Sequence, residues 1–316
     1  MRVHAICFVK DEGDVIAQTL TAALGWCDHV YVWDNGSTDG SWETVQELGR
    51  AHAQIVPFRQ DARPFREWQK AEVYAHFRDA ADPGDWWGRL DADEVYIDDP
   101  RAFLAGVPDR YRGVWSAHIN YYFSDVDLAR YRESPASYGP DVPVQDKLRY
   151  YRNSWSELRF WRCDDRTRWT DAWPSGLGRI YPERIRLRHY QYRSPEQIQR
   201  RLDARYELMR GGGHSFHHEV KKDWQGAMVD RAGTAVEEDA SARPHWTSRV
   251  VPAEKLTLDT GGPYRLREDL MPRLPRYSQQ WLFTTRVGRT VRRVQRAARA
   301  AVGRVRSAPR PAPQSA

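Results

Sequence analysis

Short apolar runs alternate with amphipathic segments along the first hundred residues. The apolar runs predict four buried strands, at Val3–Val9, His29–Trp33, Gln54–Phe58 and Trp86–Leu90. Helical spacing predicts three helices, at Val15–Leu24, from Ser41 as N-cap to about Ala51, and at Trp68–Ala81. Strands that alternate with helices indicate an α/β fold, with a doubly wound and mostly parallel sheet flanked by helices.

The pattern changes after Pro100. Val114–Phe123 alternates strictly between apolar and more polar residues, which predicts a strand buried on one face. Ser124–Val144 is polar and contains three prolines, so it is predicted to be a loop. Leu158–Cys163 and Ile185–His189 predict further strands. A last helix is predicted to begin after Ser194 and to end at Gly211–Gly213, with Ile198, Leu202, Tyr206 and Met209 on one face.

The net charge of +6 comes from the C-terminal end of the chain. From Arg286 onward there are nine arginines and no acidic residue, which leaves 40 basic and 43 acidic side chains in the remainder. A nearly neutral remainder argues against a general nucleic-acid-binding surface, so nucleic acid is not an expected partner. Valine and alanine at helical spacing among the arginines predict a basic amphipathic helix, or else a disordered tail, over residues 285–316.

The cysteines and the apolar segments bear on location. Cys7, Cys27 and Cys163 form neither a CxxC spacing nor an even set, which favours no disulfide framework and no zinc site. The run Ala5–Val9 is too short for a signal sequence, and no uncharged stretch approaches the roughly 20 residues that span a bilayer. We expect a cytoplasmic protein, held peripherally at the inner face of the cell membrane if the basic tail contacts anionic lipid.

Two acidic motifs follow predicted strands. Asp34 opens the segment Asp34–Gly40, where a carboxylate can accept hydrogen bonds from a base or a ribose hydroxyl and the next helix faces phosphate. The same residues also suit an ordinary strand-to-helix turn. Asp91 and Asp93 follow the fourth strand, and extended geometry would place them on one side of the chain. Their mutual repulsion then favours a bound divalent cation, Mg²⁺ or Mn²⁺.

These motifs resemble those of a known family. Val9–Glu12, Trp33–Gly40 and Leu90–Glu94 occur in the order found in family 2 glycosyltransferases of the GT-A fold. The resemblance is strong over residues 3–98 and looser to about Met209. It implies a GT-A domain over residues 1–210, with a nucleotide-binding half (1–100) and an acceptor and catalytic half (101–210). A helical or irregular extension (211–284) and the basic tail follow.

The resemblance also implies roles for single residues. Asp34 would bind the nucleoside of a nucleotide-sugar donor, while Asp91 and Asp93 would form the DxD motif that holds Mn²⁺ or Mg²⁺ on the donor diphosphate. His189 stands where family members often place a metal-ligating histidine. Further donor-binding candidates within or near the matched motifs are Lys10, Glu12, Asn35 and Arg66.

The family takes its catalytic base from an acidic residue, and Glu157 is the nearest match in this sequence, with Asp146 and Asp171 as alternatives. The expected reaction is inverting transfer, in which a carboxylate removes the proton of the attacking acceptor hydroxyl. The Ser124–Val144 loop is expected to close over the donor. The expected acceptor is a glycan or a lipid-linked molecule, in polysaccharide or glycolipid synthesis.

Two other functions compete with this interpretation. A metal-dependent nucleotidyltransferase also places acidic residues at strand ends, but its first strand should lead into a glycine-rich basic loop, whereas here Lys10–Asp14 is largely acidic. A non-catalytic membrane-surface module would use the arginine-rich tail, but it leaves Asp34, Asp91 and Asp93 without a purpose.

Overall fold

The computed structural model describes residues 1–153, 156–170, 173–210 and 244–266, together with Thr290, Val291 and Val294. Within these residues ten strands form one sheet: β1 Val3–Val9, β2 His29–Asp34, β3 Ile55–Gln60, β4 Trp86–Asp91, β5 Glu94–Tyr96, β6 Gly113–Tyr121, β7 Tyr150–Asn153, β8 Leu158–Arg162, β9 Ile180–His189 and β10 Thr257–Leu258. The same residues form seven α-helices: α1 Ile16–Ala23, α2 Ser41–Ala51, α3 Gln69–Phe77, α4 Pro100–Ala105, α5 Asp125–Glu133, α6 Val144–Lys147 and α7 Pro195–Arg210.

The sheet is mixed. Its main path runs β10-β7-β6-β8-β4-β1-β2-β3, and β9 pairs with both β5 and β6. Pairing is parallel from β3 through β4 and between β6 and β9, whereas β8 runs antiparallel to both of its neighbours. The mixed α/β sheet flanked by helices that the sequence predicts is confirmed.

Alternate residues of the parallel strands enter opposite faces of the sheet, as their two-residue period requires. Cys7 and Val32 belong to the cluster that packs against α1 and α2. Ile6 and Trp33 belong to the cluster beneath α3 on the other face. The chain leaves β1 toward β2 on one side and returns to β4 on the other. The crevice outside the carboxyl ends of β1 and β4 is therefore the position where ligands bind in such sheets.

Strand β6 corrects one prediction. It was expected to be buried on one face only, but all nine of its positions are buried. The polar positions Ser116, His118 and Asn120 are covered because they take partners from other strands, such as Glu94 on β5, whose Oε1 lies 3.1 Å from His118 Nε2. The polar face of this strand therefore packs against an internal polar cluster and does not face solvent.

The segment Ser124–Val144 is not the predicted loop. Its first half is the helix α5, which begins after a capping box: Ser124 Oγ accepts from the Asp127 N–H at 3.2 Å, and Asp127 Oδ2 accepts from the Ser124 N–H at 2.8 Å. The prediction was wrong because this N-terminal signal lies within a polar, proline-containing segment. The part of the chain expected to close over a donor is thus helical in its first half.

The cap predicted at Ser41 is also wrong. Gly40 occupies the N-cap position with a φ of 88°, which glycine adopts without strain, and Ser41 is the first helical residue. The Ser41 hydroxyl is used elsewhere, because it accepts a hydrogen bond from the Glu12 N–H at 2.9 Å. Ser41 therefore ties the loop after β1 to the start of α2.

His4 gives the fold a titratable group in its core. It stacks on Trp87 with ring centroids 5.0 Å apart, and burial, aided by His29, lowers its pKa to about 4. Since the folded pKa lies below the ordinary 6.5, the full contribution to stability is present above pH 6.5. It is lost as the pH falls through 4, by at most about 3 kcal/mol. Urea unfolding at pH 7 and pH 4 should show a smaller loss for His4→Phe than for the wild type.

The matched control for this measurement is His52→Phe, since His52 is exposed. We expect its pH dependence to equal that of the wild type. Equal pH dependence of all three proteins would contradict the assignment of His4 as a buried neutral group.

No helix among the described residues is long and apolar enough to cross a membrane. In the arginine-rich tail, Thr290, Val291 and Val294 are helical, and Val294 is exposed. The rest of the predicted tail helix, the glycines at 211–213 and Asp171 lie outside the described residues.

Candidate functional site

The carboxyl ends of β2, β1 and β4 stand side by side at one edge of the sheet. Val9 on β1 is in register with Asp34 on β2, and Phe8 is in register with Asp91 on β4. With neighbouring strands spaced about 4.8 Å apart, the backbones at Asp34 and Asp91 lie roughly 10 Å apart. The two acidic motifs of the sequence therefore meet at the crevice that the topology creates.

Asp34 is fully buried at the end of β2. Its Oδ1 accepts hydrogen bonds from the Gly36 and Ser37 N–H groups at 2.9 and 2.8 Å and from Gln60 Nε2 at 3.2 Å. Its Oδ2 is buried and has no hydrogen-bond partner among the described residues. Because an unsatisfied buried acceptor is costly, this oxygen is suited to receive an N–H or O–H group from a ligand.

The neighbours of Asp34 shape the loop around it. Asn35 Nδ2 donates to the carbonyls of Asp61 and Arg63, both at 2.8 Å, so its side chain joins the ends of β2 and β3. Lys10 Nζ donates to the Gly36 carbonyl. Arg66 is partly buried just before α3. Asn35 and Lys10 thus make contacts that hold the loop, and their predicted roles in donor binding stay predictions.

The extended chain ends at Asp91. A turn follows at Ala92 and Asp93, so the expectation that the two aspartates share one side of an extended segment is wrong. Each carboxylate instead faces its own set of cations. Asp91 lies against Arg159 and Lys70, whereas Asp93 lies against His189, Arg193 and Arg201. Protein cations therefore supply part of the charge compensation that the sequence assigned to a metal ion.

We call the group around the first aspartate the Arg159 cluster; it consists of Asp91, Glu94, His118, Glu157 and Arg159. Arg159 is buried on β8, and its guanidinium contacts Asp91 Oδ2 at 3.1 Å from two nitrogens and also contacts Glu94. Burial alone would raise the pKa of Asp91, but Arg159 and Lys70 hold it well below its ordinary value. Burial raises the pKa of Glu94 to about 7 in spite of Arg159.

We call the second group the Arg193 cluster; it consists of Glu12, Asp14, Asp93, His189, Arg193 and Arg201. Arg193 is fully buried just before α7 and donates to Glu12 and to both oxygens of Asp14. Burial raises the pKa of Glu12 to about 7, although Arg193 and Arg201 oppose this shift. Glu12, predicted as a donor-binding residue, is thus held by two arginines at the end of β1.

Asp93 and His189 are the two predicted metal ligands that the structure brings together. His189 Nε2 lies 3.4 Å from Asp93 Oδ1, and His189 Nδ1 lies 3.1 Å from Asn120 Oδ1. Burial would lower the pKa of His189, but Asp93 raises it above its ordinary value. Asp93 Oδ2 is buried without a hydrogen-bond partner in the described part of the chain.

This pair fits a divalent cation of the kind expected. One carboxylate and one imidazole converge, although Asp93 Oδ2 also lies 3.5 Å from Arg201 Nη1 and 3.9 Å from Arg193 Nη1. Mg²⁺ usually takes only one or two protein carboxylates and fills its other positions with water and substrate phosphate. The described residues contain no group of three or more histidine, cysteine, aspartate or glutamate side chains arranged around a metal position. Asp91, the third predicted ligand, is held by Arg159.

The three candidate bases have different surroundings. The Glu157 side chain is 25% exposed, and its Oε2 lies 3.6 Å from Arg159 Nη2, within the Arg159 cluster. Asp146 is exposed on α6. Asp171 lies outside the described residues. Of the two candidates that the structure describes, Glu157 is the one that Arg159 connects to Asp91.

Several residues of the site were missed in the sequence. Arg159 and Arg193 are fully or almost fully buried and join residues up to 181 positions apart, which no local pattern reveals. A signal was nevertheless present, because Arg159 interrupts the apolar run of β8 and His118 and Asn120 occupy the polar positions of β6. Polar residues inside buried strands usually have partners.

No profile of a known protein family matches the sequence, and no curated protein matches it. Among solved structures, the chain is similar to the mannosyltransferase PcManGT from Pyrobaculum calidifontis in complex with GDP-Man and Mn²⁺, at 14% identity over 72% of this chain and 69% of that chain, with a TM-score of 0.34. It is similar to S. aureus TarS 1–349 in complex with UDP, at 11% identity over 73% and 71% of the two chains, with a TM-score of 0.33.

A third similar structure is a protein from Bacillus anthracis described as a glucose-1-phosphate thymidylyltransferase, in complex with a sucrose. The identity is 9% over 38% of this chain and 55% of that chain, with a TM-score of 0.28. Identities and TM-scores this low leave the function to be inferred from the site's own residues.

Proposed function

We propose that this protein transfers a sugar from a nucleotide-sugar donor to an acceptor hydroxyl, with inversion at the anomeric carbon. The observation that carries the proposal is the buried Asp34, whose Oδ2 has no hydrogen-bond partner in the described residues. Asp34 lies at the end of β2, and Asp91 lies at the end of β4; β1 is the single strand between them. A hydrogen-bond acceptor suited to a nucleoside and a turn with acidic and cationic side chains suited to a diphosphate thus lie in one crevice.

The donor would extend along the edge of the sheet from Asp34 to the turn after β4. Asp34 Oδ2 would accept a hydrogen bond from the base or the ribose. Asp93 and His189 would hold Mn²⁺ or Mg²⁺, which would supply charge neutralisation of the leaving diphosphate. Lys70 and Arg159, which already contact Asp91, would hold further negative charge of the donor in place.

Glu157 would remove the proton from the acceptor hydroxyl. Its backbone is fixed by the Ser116 N–H, which donates to the Glu157 carbonyl at 2.8 Å, and its carboxylate stands beside Arg159. A partly exposed carboxylate on a fixed backbone next to the donor site has the accessibility that an acceptor requires. Asp146 and Asp171 are the alternative bases.

The first test is donor binding. UDP-, GDP-, CMP- and dTDP-sugars with Mn²⁺ should include at least one ligand that raises the melting temperature and is consumed when an acceptor is supplied. Asp34→Asn keeps Oδ1 but places an NH₂ group where Oδ2 stood, so the affinity for that donor, measured by calorimetry, should fall about 10- to 100-fold.

Asp61→Asn is the control, because Asp61 lies at the end of the neighbouring strand and pairs with Arg63. It should bind the donor as the wild type does. The proposal fails if no nucleotide-sugar of the panel binds or is consumed, or if Asp34→Asn and Asp61→Asn behave alike.

We further propose that the arginine-rich tail holds the enzyme at an anionic membrane, near a lipid-linked acceptor. Nine arginines without an acidic residue follow Thr285, and each contributes about 1 kcal/mol near an anionic surface. Full-length protein should float with phosphatidylglycerol vesicles at low salt and release at high salt, whereas a chain ending at Thr285 should stay unbound. Equal flotation of both proteins, or none by either, would exclude this role.

A further inference from the structure

Arg89 is a buried cation near the candidate donor site that has no role in the proposed reaction. It lies on β4 two residues before Asp91, so the two side chains leave the sheet on the same face, about 7 Å apart along the strand. Its side chain is only 4% exposed. Arg89 and Lys70 both contact Glu67, and Lys70 Nζ lies 3.8 Å from Asp91 Oδ1, so the charge of Arg89 lies near the candidate donor site.

The hydrogen bonding of Arg89 is incomplete. Nη2 donates to Glu67 Oε2 at 3.4 Å, but Nε and Nη1 are buried and have no hydrogen-bond partner among the described residues. A guanidinium has five N–H groups and is always charged, so unsatisfied donors in such a position are costly. These unsatisfied N–H donors lie close to the turn at Ala92 and Asp93.

Lys70 stands beside Arg89 in the same environment. Its side chain is 6% exposed, and its Nζ lies 3.3 Å from Glu67 Oε2 and 3.8 Å from Asp91 Oδ1. Glu67 is therefore shared by two buried cations, while Asp91 is shared by Lys70 and Arg159. An anionic ligand at this position would meet N–H donors in fixed positions, which is the arrangement that binds phosphate well.

We propose that Arg89, together with Lys70, is an anchor for the diphosphate of the donor that works without a metal ion. The proposal rests on the proposed donor chemistry and names a second set of contacts for the same ligand. Asp93 and His189 would hold the metal-bound side of the diphosphate, and Arg89 and Lys70 would hold the side nearer β4 and α3. Diphosphate affinity would then persist, although weaker, after the metal is removed.

Trp173 stacks on the guanidinium of Arg89. The centre of its ring lies 3.8 Å from the guanidinium carbon, and the side chain of this tryptophan is only partly buried. The ring covers one face of the guanidinium, whereas the Nε and Nη1 donors point outward in its plane, so the ring fixes the direction of these donors without competing for them. Removing the ring should therefore leave the N–H donors of the anchor in place.

The test is binding of inorganic pyrophosphate to the full chain, measured by calorimetry in EDTA. Arg89→Met should weaken binding about tenfold or more, because it removes charge-assisted hydrogen bonds. Arg89→Lys should recover part of the affinity, and Trp173→Ala should bind at least as tightly as the wild type. Arg162→Met is the matched control, since Arg162 also stacks on a tryptophan, Trp86, at the other end of β4.

Each outcome is decisive for the anchor. Wild-type protein that binds no pyrophosphate in EDTA, or an Arg89→Met variant that binds as tightly as Arg162→Met, would overturn the proposal. Melting curves identify a variant that fails to fold, and Arg89→Lys, which keeps the charge, then takes its place in the comparison. Failure of the donor panel with intact pyrophosphate binding would remove the glycosyltransferase proposal alone, whereas the reverse result would remove only the Arg89 anchor.

Discussion

Replacing Glu157 with glutamine is expected to lower the turnover number by roughly 10²–10⁴-fold, because a general base acts only in the chemical step. Glutamine preserves the size of the side chain and the backbone contact with Ser116 but cannot accept the proton. Donor affinity should hardly change, since Arg159 keeps its contacts with Asp91 and Glu94. Single-turnover kinetics and calorimetry with the donor identified in the panel would measure both quantities.

Asp146→Asn and Asp171→Asn test the alternative bases, and Glu254→Gln is the control, because Glu254 is an exposed glutamate. We expect all three to turn over within a few-fold of the wild type. If Asp146→Asn or Asp171→Asn shows the large loss of turnover with unchanged donor affinity, and Glu157→Gln does not, the base has been placed on the wrong residue.

Removing divalent metal should abolish transfer, and adding Mn²⁺ or Mg²⁺ should restore it. Asp93→Asn should lose metal-dependent donor binding, and His189→Ala should weaken metal affinity about tenfold or more, the usual scale for residues that hold a metal. Since Asp93 raises the pKa of His189, a metal must displace a proton from the imidazole. Metal affinity should therefore be higher at pH 8 than at pH 6 in the wild type, and less dependent on pH in His189→Ala.

Asp93→Asn leaves His189, Arg193 and Arg201 around a neutral side chain, so its melting curve has to be recorded together with its activity. Full transfer in EDTA would contradict the metal assignment. It would instead indicate that Lys70, Arg89 and Arg159 neutralise the diphosphate, a role that their contacts around Asp91 and Glu67 would support.

The order of strands and helices could be predicted from the sequence where local pattern dominates. The strands β1, β2 and β4 are continuous apolar runs because both of their faces are buried, and that pattern is visible in single segments. The edge strand β3, also predicted to be buried, is buried only at Ile55 and partly exposed beyond it. The same logic failed for β6, whose polar positions are buried against partners on β5, β8 and β9. His118 and Asn120 are buried by residues far away in the sequence, so the alternating pattern alone predicted that these side chains would face solvent.

The candidate site was predictable at strand ends and not beyond them. Asp34, Asp91 and Asp93 follow apolar strands, and topology alone brings such residues to one edge. Their individual surroundings depend on Arg159, Arg193 and Arg201, which come from β8 and from the region of α7. Which carboxylate a long arginine side chain contacts is decided only when the strands pack. The sequence therefore did not predict that Asp91 and Asp93 contact different sets of cations.

The pairing of β5 with β9 has a consequence for folding during synthesis of the chain. Glu94 and His189 are in register although they lie roughly a hundred residues apart in the chain, and β4 receives its outer neighbour only from β8. During synthesis the N-terminal strands must therefore wait with an open edge on β4, and such edges attract other chains. Long-range pairing of this kind also slows folding, so these edges should stay open until β8 and β9 have been synthesised.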